Sequence, residues 1–101
     1  MKAQLIRHSE KLFYFNEIAN NTSLHAASRA LGISAPSLSH AVKELEKALD
    51  VKLFLRSPKG LKLTEEGERL YLFCQKFFRE METLEENLSS KKYDRILPIR
   101  V

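Results

Sequence analysis

Three histidines, one cysteine and a set of carboxylates are the residues whose types could hold a metal or move a proton. His8, His25 and His40 stand far apart, and none pairs with another at helical spacing. With Cys74 the only cysteine, no ligand set of metal-site spacing exists, so no metal or cofactor is expected. No glycine-rich loop could cradle a phosphate, because the three glycines are scattered. No Ser-His-Asp or Cys-His set follows from spacing. Glu80, Glu82, Glu85 and Glu86 read as a solvated helix face rather than an acid/base pair. No catalytic residue is assigned, and the chain reads as a non-enzyme.

A different chemistry is available between residues 27 and 49. Ser34, Ala35, Pro36, Ser37, Ser39, His40 and Lys43 are short, polar or cationic. They follow a tight turn at Gly32. Short side chains let a helix approach a groove closely. Hydroxyls, an imidazole and an ammonium then meet phosphates and base edges. On a helical wheel Leu38, Val42, Leu45 and Leu49 fall in one narrow sector, opposite Pro36, Ser39, His40, Lys43 and Lys47. A helix with that division buries its leucines and presents a nearly acid-free face. This is the pattern of a helix-turn-helix whose second helix, about 35–49, enters the major groove.

The elements that must position this helix can be read on either side of it. A first helix runs to about Asn20, starting with Ser9 as its cap or earlier, near Gln4. Asn20-Asn21-Thr22 marks a stop. Ser23 caps a second helix over about 24–31, where Ala26, Ala27 and Ala30 permit close packing. Ser34 caps the third helix, with Pro36 in its first turn. Lys52–Leu55 and Leu61–Leu63 are strand-like, joined through Arg56-Ser57-Pro58-Lys59-Gly60, a hairpin with Lys59 at or near its tip. Lys59 and Lys62 on this wing, about 56–62, are candidate contacts at a minor groove, and His25 and Ser23 are candidate phosphate contacts. Arg56 reads as a locally paired structural residue more than a base reader, with a phosphate contact as the alternative.

Thr64 caps a long helix, with Glu65 and Glu66 complementing its positive end. Leu70, Phe77 and Leu84 are seven apart, as are Cys74, Met81 and Leu88, each four residues later. That alternation is an a/d seam and predicts dimerisation through these six residues. The plain alternative is that one side packs on the winged domain and no partner is involved.

Composition agrees with a small nucleic-acid-binding domain. The chain has 101 residues and 44% hydrophobic content, enough for one domain and one appended element. Residues 1–63 carry 10 Lys+Arg against 5 Asp+Glu, whereas residues 64–101 carry 7 against 8. The excess positive charge therefore lies with the helix-turn-helix pattern, as expected of a phosphate binder. A single cysteine, no apolar run of membrane-spanning length and no signal-peptide pattern predict a soluble, cytoplasmic protein. The expected division is a winged domain over 1–63, a linker helix over 64–90 and a tail over 91–101.

An ordered set of residues carries a family resemblance over roughly 12–88. It consists of Phe15, Ser23, Ala27, Leu31, Ser34-x-Pro36-x-Leu38-Ser39, Leu45-Glu46, Leu49, Val51-x-Leu53-Phe54-x-Arg56 and Leu63-Thr64-x-x-Gly67. In these residues the chain resembles the LysR-type transcriptional regulators. The resemblance implies a mostly α fold, a winged helix-turn-helix of three helices and a two-stranded wing followed by a linker helix. It implies a homodimer, usually with antiparallel linker helices, on an interrupted palindrome of double-stranded DNA, and a higher assembly in a full-length form. It places DNA contacts on Pro36, Ser39, His40 and Lys59. Where that family most often has Gln and Arg, this chain has Ala35 and His40, which predicts a departure from the commonest operator bases. The resemblance also implies that Ile96–Val101 begins an effector-binding domain. An alternative role is a protein-interaction module that heterodimerises with a longer regulator through the linker helix. A third is a nonspecific, architectural DNA binder.

Overall fold

Local capping chemistry sets the helix boundaries. The computed structural model describes residues 3–89. A short turn, α1 (Gln4–Arg7), leads into α2 (Ser9–Asn21). The two are nearly continuous, because His8 N–H donates to the Gln4 carbonyl at 3.0 Å and the His8 carbonyl accepts from Leu12 N–H at 3.1 Å. Helical bonding therefore starts at Gln4, and Ser9 is not a cap. The cap position of α2 falls on His8, which makes no side-chain capping bond.

Ser23 Oγ accepts from Ala26 N–H at 3.2 Å and opens α3 (Leu24–Leu31). Gly32 ends it in the left-handed region, φ 69°, where a side chain would be strained. Ser34 Oγ accepts from Ser37 N–H at 3.2 Å and opens α4 (Ala35–Leu49), with Pro36 in the first turn. Loss of such a cap typically costs about 1 kcal/mol.

The inward stripe of α4 is Leu38, Ala41, Val42 and Leu45, all buried, with Leu49 partly so. Leu38 and Val42 pack with Ile18 of α2 and Ala27 of α3. Leu45 packs with Leu12, Phe15, Leu53 and Cys74. Phe54 touches both clusters and joins them into one core. Each fully buried Leu, Ile or Phe contributes roughly 1.5–3 kcal/mol.

The wing pairs β1 (Phe54–Ser57) with β2 (Gly60–Leu63), antiparallel, Phe54 opposite Leu63 and Ser57 opposite Gly60. It starts two residues later than the reading from Lys52. The backbone there is already engaged: the Lys52 carbonyl accepts from Thr64 Oγ1 at 2.6 Å, and the Leu53 carbonyl accepts from Thr64 N–H at 2.9 Å. The ladder instead runs up to the turn, which is reduced to Pro58 and Lys59.

The last element, α5 (Glu65–Ser89), is opened by Thr64, whose Oγ1 accepts from Gly67 N–H at 2.9 Å. Its first half docks on the domain through Leu70, Tyr71, Cys74 and Phe78. A polar seam accompanies these contacts. Tyr71 donates its hydroxyl to Asn20 Oδ1 at 2.5 Å, and Gln75 Nε2 donates to buried Asn16 Oδ1 at 2.9 Å. From Arg79 to Ser89 every residue is exposed. The segment Ile96–Val101, expected to begin an effector-binding domain, lies outside the described residues.

Candidate nucleic-acid interface

The outward side of α4 presents Pro36, Ser37, His40 and Lys43 in the open, with Ala35 and Ser39 half-buried between them. Burial of the leucine stripe fixes this orientation, since the opposite sector must then face out. Ser37 lies next to the cap, and Ser34 Oγ donates to Ser37 Oγ at 2.8 Å. Ser34 and Ser23 thus serve their own helices as caps. Either could reach a phosphate only while keeping that bond. His25 is exposed in the first turn of α3.

Lys59 is exposed at the wing tip. The turn beneath it is held by Ser57 Oγ, which donates to the Gly60 carbonyl at 2.9 Å and accepts from Lys59 N–H at 3.3 Å. Lys62 stands beside it, and both line the surface around Ser57, Pro58 and Leu61. The cations of helix and wing therefore come from two elements held by the same core.

Glu46, on the inner flank of α4, ties these two elements together. Its Oε2 accepts from Leu53 N–H at 2.7 Å and from Phe54 N–H at 3.3 Å. Its Oε1 is 4.0 Å from Lys52 Nζ, a mostly exposed ammonium, so that ion pair is weak. In the sequence Glu46 stands out only as part of the Leu45-Glu46 pair. The signal was present in the Leu45-Glu46 pair, but the partner is main chain, which a sequence pattern does not display. Arg56 also differs from expectation: among the described residues no ion pair holds it.

The six residues of the predicted seam separate into two groups. Cys74 is fully buried in the chain's own core, and Leu70 is half-buried against the same cluster. Cys74 is thus corrected from interface to core. Burial pushes its thiol up from the ordinary 9.0 to about 11. Phe77, Met81, Leu84 and Leu88 are 38–60% exposed, and Phe73, stacked on Phe77 at 5.5 Å, joins them. Among the described residues no group of three or more His, Cys, Asp or Glu could hold a metal ion. No helix there is long and apolar enough to cross a membrane.

Three helices, α2 to α4, a two-stranded wing and a long trailing helix make this a winged helix-turn-helix protein. The profile of the family described as "Bacterial regulatory helix-turn-helix protein, lysR family" matches residues 9–68. The chain belongs to the LysR family. It is 35% identical over 75 residues to the uncharacterized HTH-type transcriptional regulator YcaN of Escherichia coli, covering 74% of this chain and 25% of that protein. It is 43% identical over 60 residues to the HTH-type transcriptional regulator BudR of Klebsiella aerogenes, covering 59% of this chain and 42% of that one. Among solved structures, the full-length virulence activator AphB of Vibrio cholerae superposes with a TM-score of 0.73 at 26% identity, over 87% of this chain and 28% of that chain. The BenM_DBD/benA site 1 DNA complex superposes with a TM-score of 0.71 at 27% identity, over 87% of this chain and 95% of that chain. The chain spans about a quarter of the length of the first curated relatives it matches.

Proposed function

We propose that this chain binds double-stranded DNA sequence-specifically as a homodimer and acts in transcription regulation. In this reading α4 lies in the major groove, with Pro36, Ser37, Ser39, His40 and Lys43 toward the bases and flanking phosphates. The wing borders the minor groove, where Lys59 meets its negative potential. Two copies pair through the exposed stripe of α5, Phe73, Phe77, Met81, Leu84 and Leu88, and read the two halves of an interrupted palindrome.

The observation that carries the reading is the unobstructed outward face of α4 beside a cationic wing, both fixed by one core. The match to a DNA-bound relative over most of both chains supports it. Lys59→Ala tests it. Binding should weaken across many sequences and its salt dependence should flatten. An unchanged affinity and slope would place the wing away from DNA.

A second reading uses the same α5 stripe to pair with a longer relative. Ala35 and His40, which offer less to base edges than Gln and Arg, favour it. DNA binding by this chain alone at moderate salt separates the two.

A further inference from the structure

The long helix α5 meets the winged domain chiefly along α2. Part of that contact is apolar: Leu70, Cys74 and Phe78 of α5 pack with Leu12 and Phe15 of α2. Apolar contact has little directionality, so it holds two helices together without fixing the angle between them. The polar seam beside it is directional. Asn16 and Asn20 are one turn apart on α2, and Tyr71 and Gln75 are one turn apart on α5. Gln75 Nε2 bridges both turns of α2, donating to Asn16 Oδ1 at 2.9 Å and to Asn20 Oδ1 at 3.1 Å. Asn20 Oδ1 also accepts from the Tyr71 hydroxyl at 2.5 Å. Asn16 is 4% exposed, so its bond to Gln75 is not readily exchanged for water.

These rungs lie between the element that reads DNA and the stripe that pairs two copies. On one side, α2 buries the inward stripe of α4: Ile18 packs with Leu38 and Val42, and Leu12 and Phe15 pack with Leu45. On the other, α5 continues past the rungs into Met81, Leu84 and Leu88, which the winged domain leaves exposed. The tilt of α5 on α2 therefore sets where α4 stands relative to a partner held at those residues. Leu88 lies about 20 Å along the helix from Gln75 at the α-helical rise. A tilt of about 10° would move that end by about 3.5 Å, close to the rise of one base pair, about 3.4 Å. Buried amide contacts can fix one register where apolar packing alone would allow several.

We propose that Asn16, Asn20, Tyr71 and Gln75 determine the half-site spacing that the dimer accepts. The proposal rests on the homodimeric DNA-binding reading above. In that reading none of the four touches a base. They are positioning residues, and they act by locking the angle between α5 and the domain that carries α4.

The test uses the full chain and duplexes carrying two copies of a bound half-site, their separation changed one base pair at a time. The wild type should prefer one separation and lose about tenfold in affinity one base pair away, because DNA and protein must then be strained to meet. Asn16→Leu together with Gln75→Leu replaces the central rung with apolar side chains of similar size, which keeps the packing and removes the direction. This double variant should bind a single half-site as the wild type does, yet lose only about threefold one base pair away. Tyr71→Phe removes one hydroxyl from the outer rung and should flatten the profile in the same direction, to a smaller extent. Thermal melts and sedimentation establish which variants are folded and dimeric. An unchanged spacing profile in the folded, dimeric double variant overturns the proposal. So does equal weakening at every separation, the mark of a seam that only stabilises. If the double variant does not fold, an unchanged profile for Tyr71→Phe overturns it. A dimeric wild type that binds all separations alike overturns the proposal while leaving DNA binding intact. A wild type that binds no duplex, or only as a monomer, overturns the homodimeric reading and the proposal with it.

Discussion

The carboxylate of Glu46 accepts a hydrogen bond from the main-chain N–H of Leu53 at 2.7 Å, linking α4 to the start of the wing. Glu46 is 11% exposed and Leu53 is buried, so water is a poor substitute for either partner. Replacing Glu46 by Ala should cost roughly 1–3 kcal/mol, the penalty for unpaired buried donors. Glu46→Gln keeps one acceptor and should lose less. Urea unfolding of both variants checks the order, and equal losses would show that the acceptor oxygen is not what matters.

Gly67 packs where no side chain fits. A Cβ there would run into the carbonyl of Leu53 and crowd Leu63. Gly67→Ala should destabilise the chain by about 1–3 kcal/mol, although alanine is the better helix former. A thermal melt decides it. A stabilised variant would mean that α5 shifts freely at its first turn.

Cys74 and Phe77 make a contrast. Both belong to the heptad pattern, but Cys74 is in the core and Phe77 is 38% exposed. Cys74→Asp should unfold the chain, because an unpaired charge would enter the core. Phe77→Asp should leave a folded chain that sediments as a monomer. A Phe77→Asp variant that remains dimeric would refute the α5 stripe as the interface.

The Cys74 thiol gives a pH signature. Its folded value of about 11 lies above the ordinary 9.0, so the folded state retains a proton that the unfolded chain releases. Its contribution is fully present below about pH 9 and is lost as pH rises toward about 11. Urea unfolding of the wild type should therefore weaken more between about pH 8 and about pH 10.5 than that of Cys74→Ala. Equal losses would mean that the thiol titrates alike in both states.

Much of the fold was legible because it is local. The caps Ser23 and Ser34, the stripe on α4 and the Pro58-Lys59 turn each depend on residues a few positions apart. What escaped depends on distant partners. The hydrogen bond between Asn16 and Gln75 joins two ordinary polar residues 59 positions apart. The start of β1 depends on Thr64, which occupies the backbone of Lys52 and Leu53. The heptads of α5 announced an apolar stripe but not which neighbour covers each part. Cys74 therefore read like Met81, although one is sealed by the chain's own domain and the other is open. The candidate interface was legible on α4 and Lys59, since amphipathic division shows in sequence. The side of the wing on which Arg56 stands was not, because it depends on the register of the hairpin.

Selection of bound duplexes from a random DNA pool, using the purified chain at near-physiological salt, tests the central claim most directly. Enrichment of a two-fold-symmetric motif, with bases at the half-site centre suited to Ala35 and His40, is the predicted result. A folded chain that enriches no motif would contradict sequence-specific binding by this chain and leave pairing with another regulator or nonspecific DNA binding as its role.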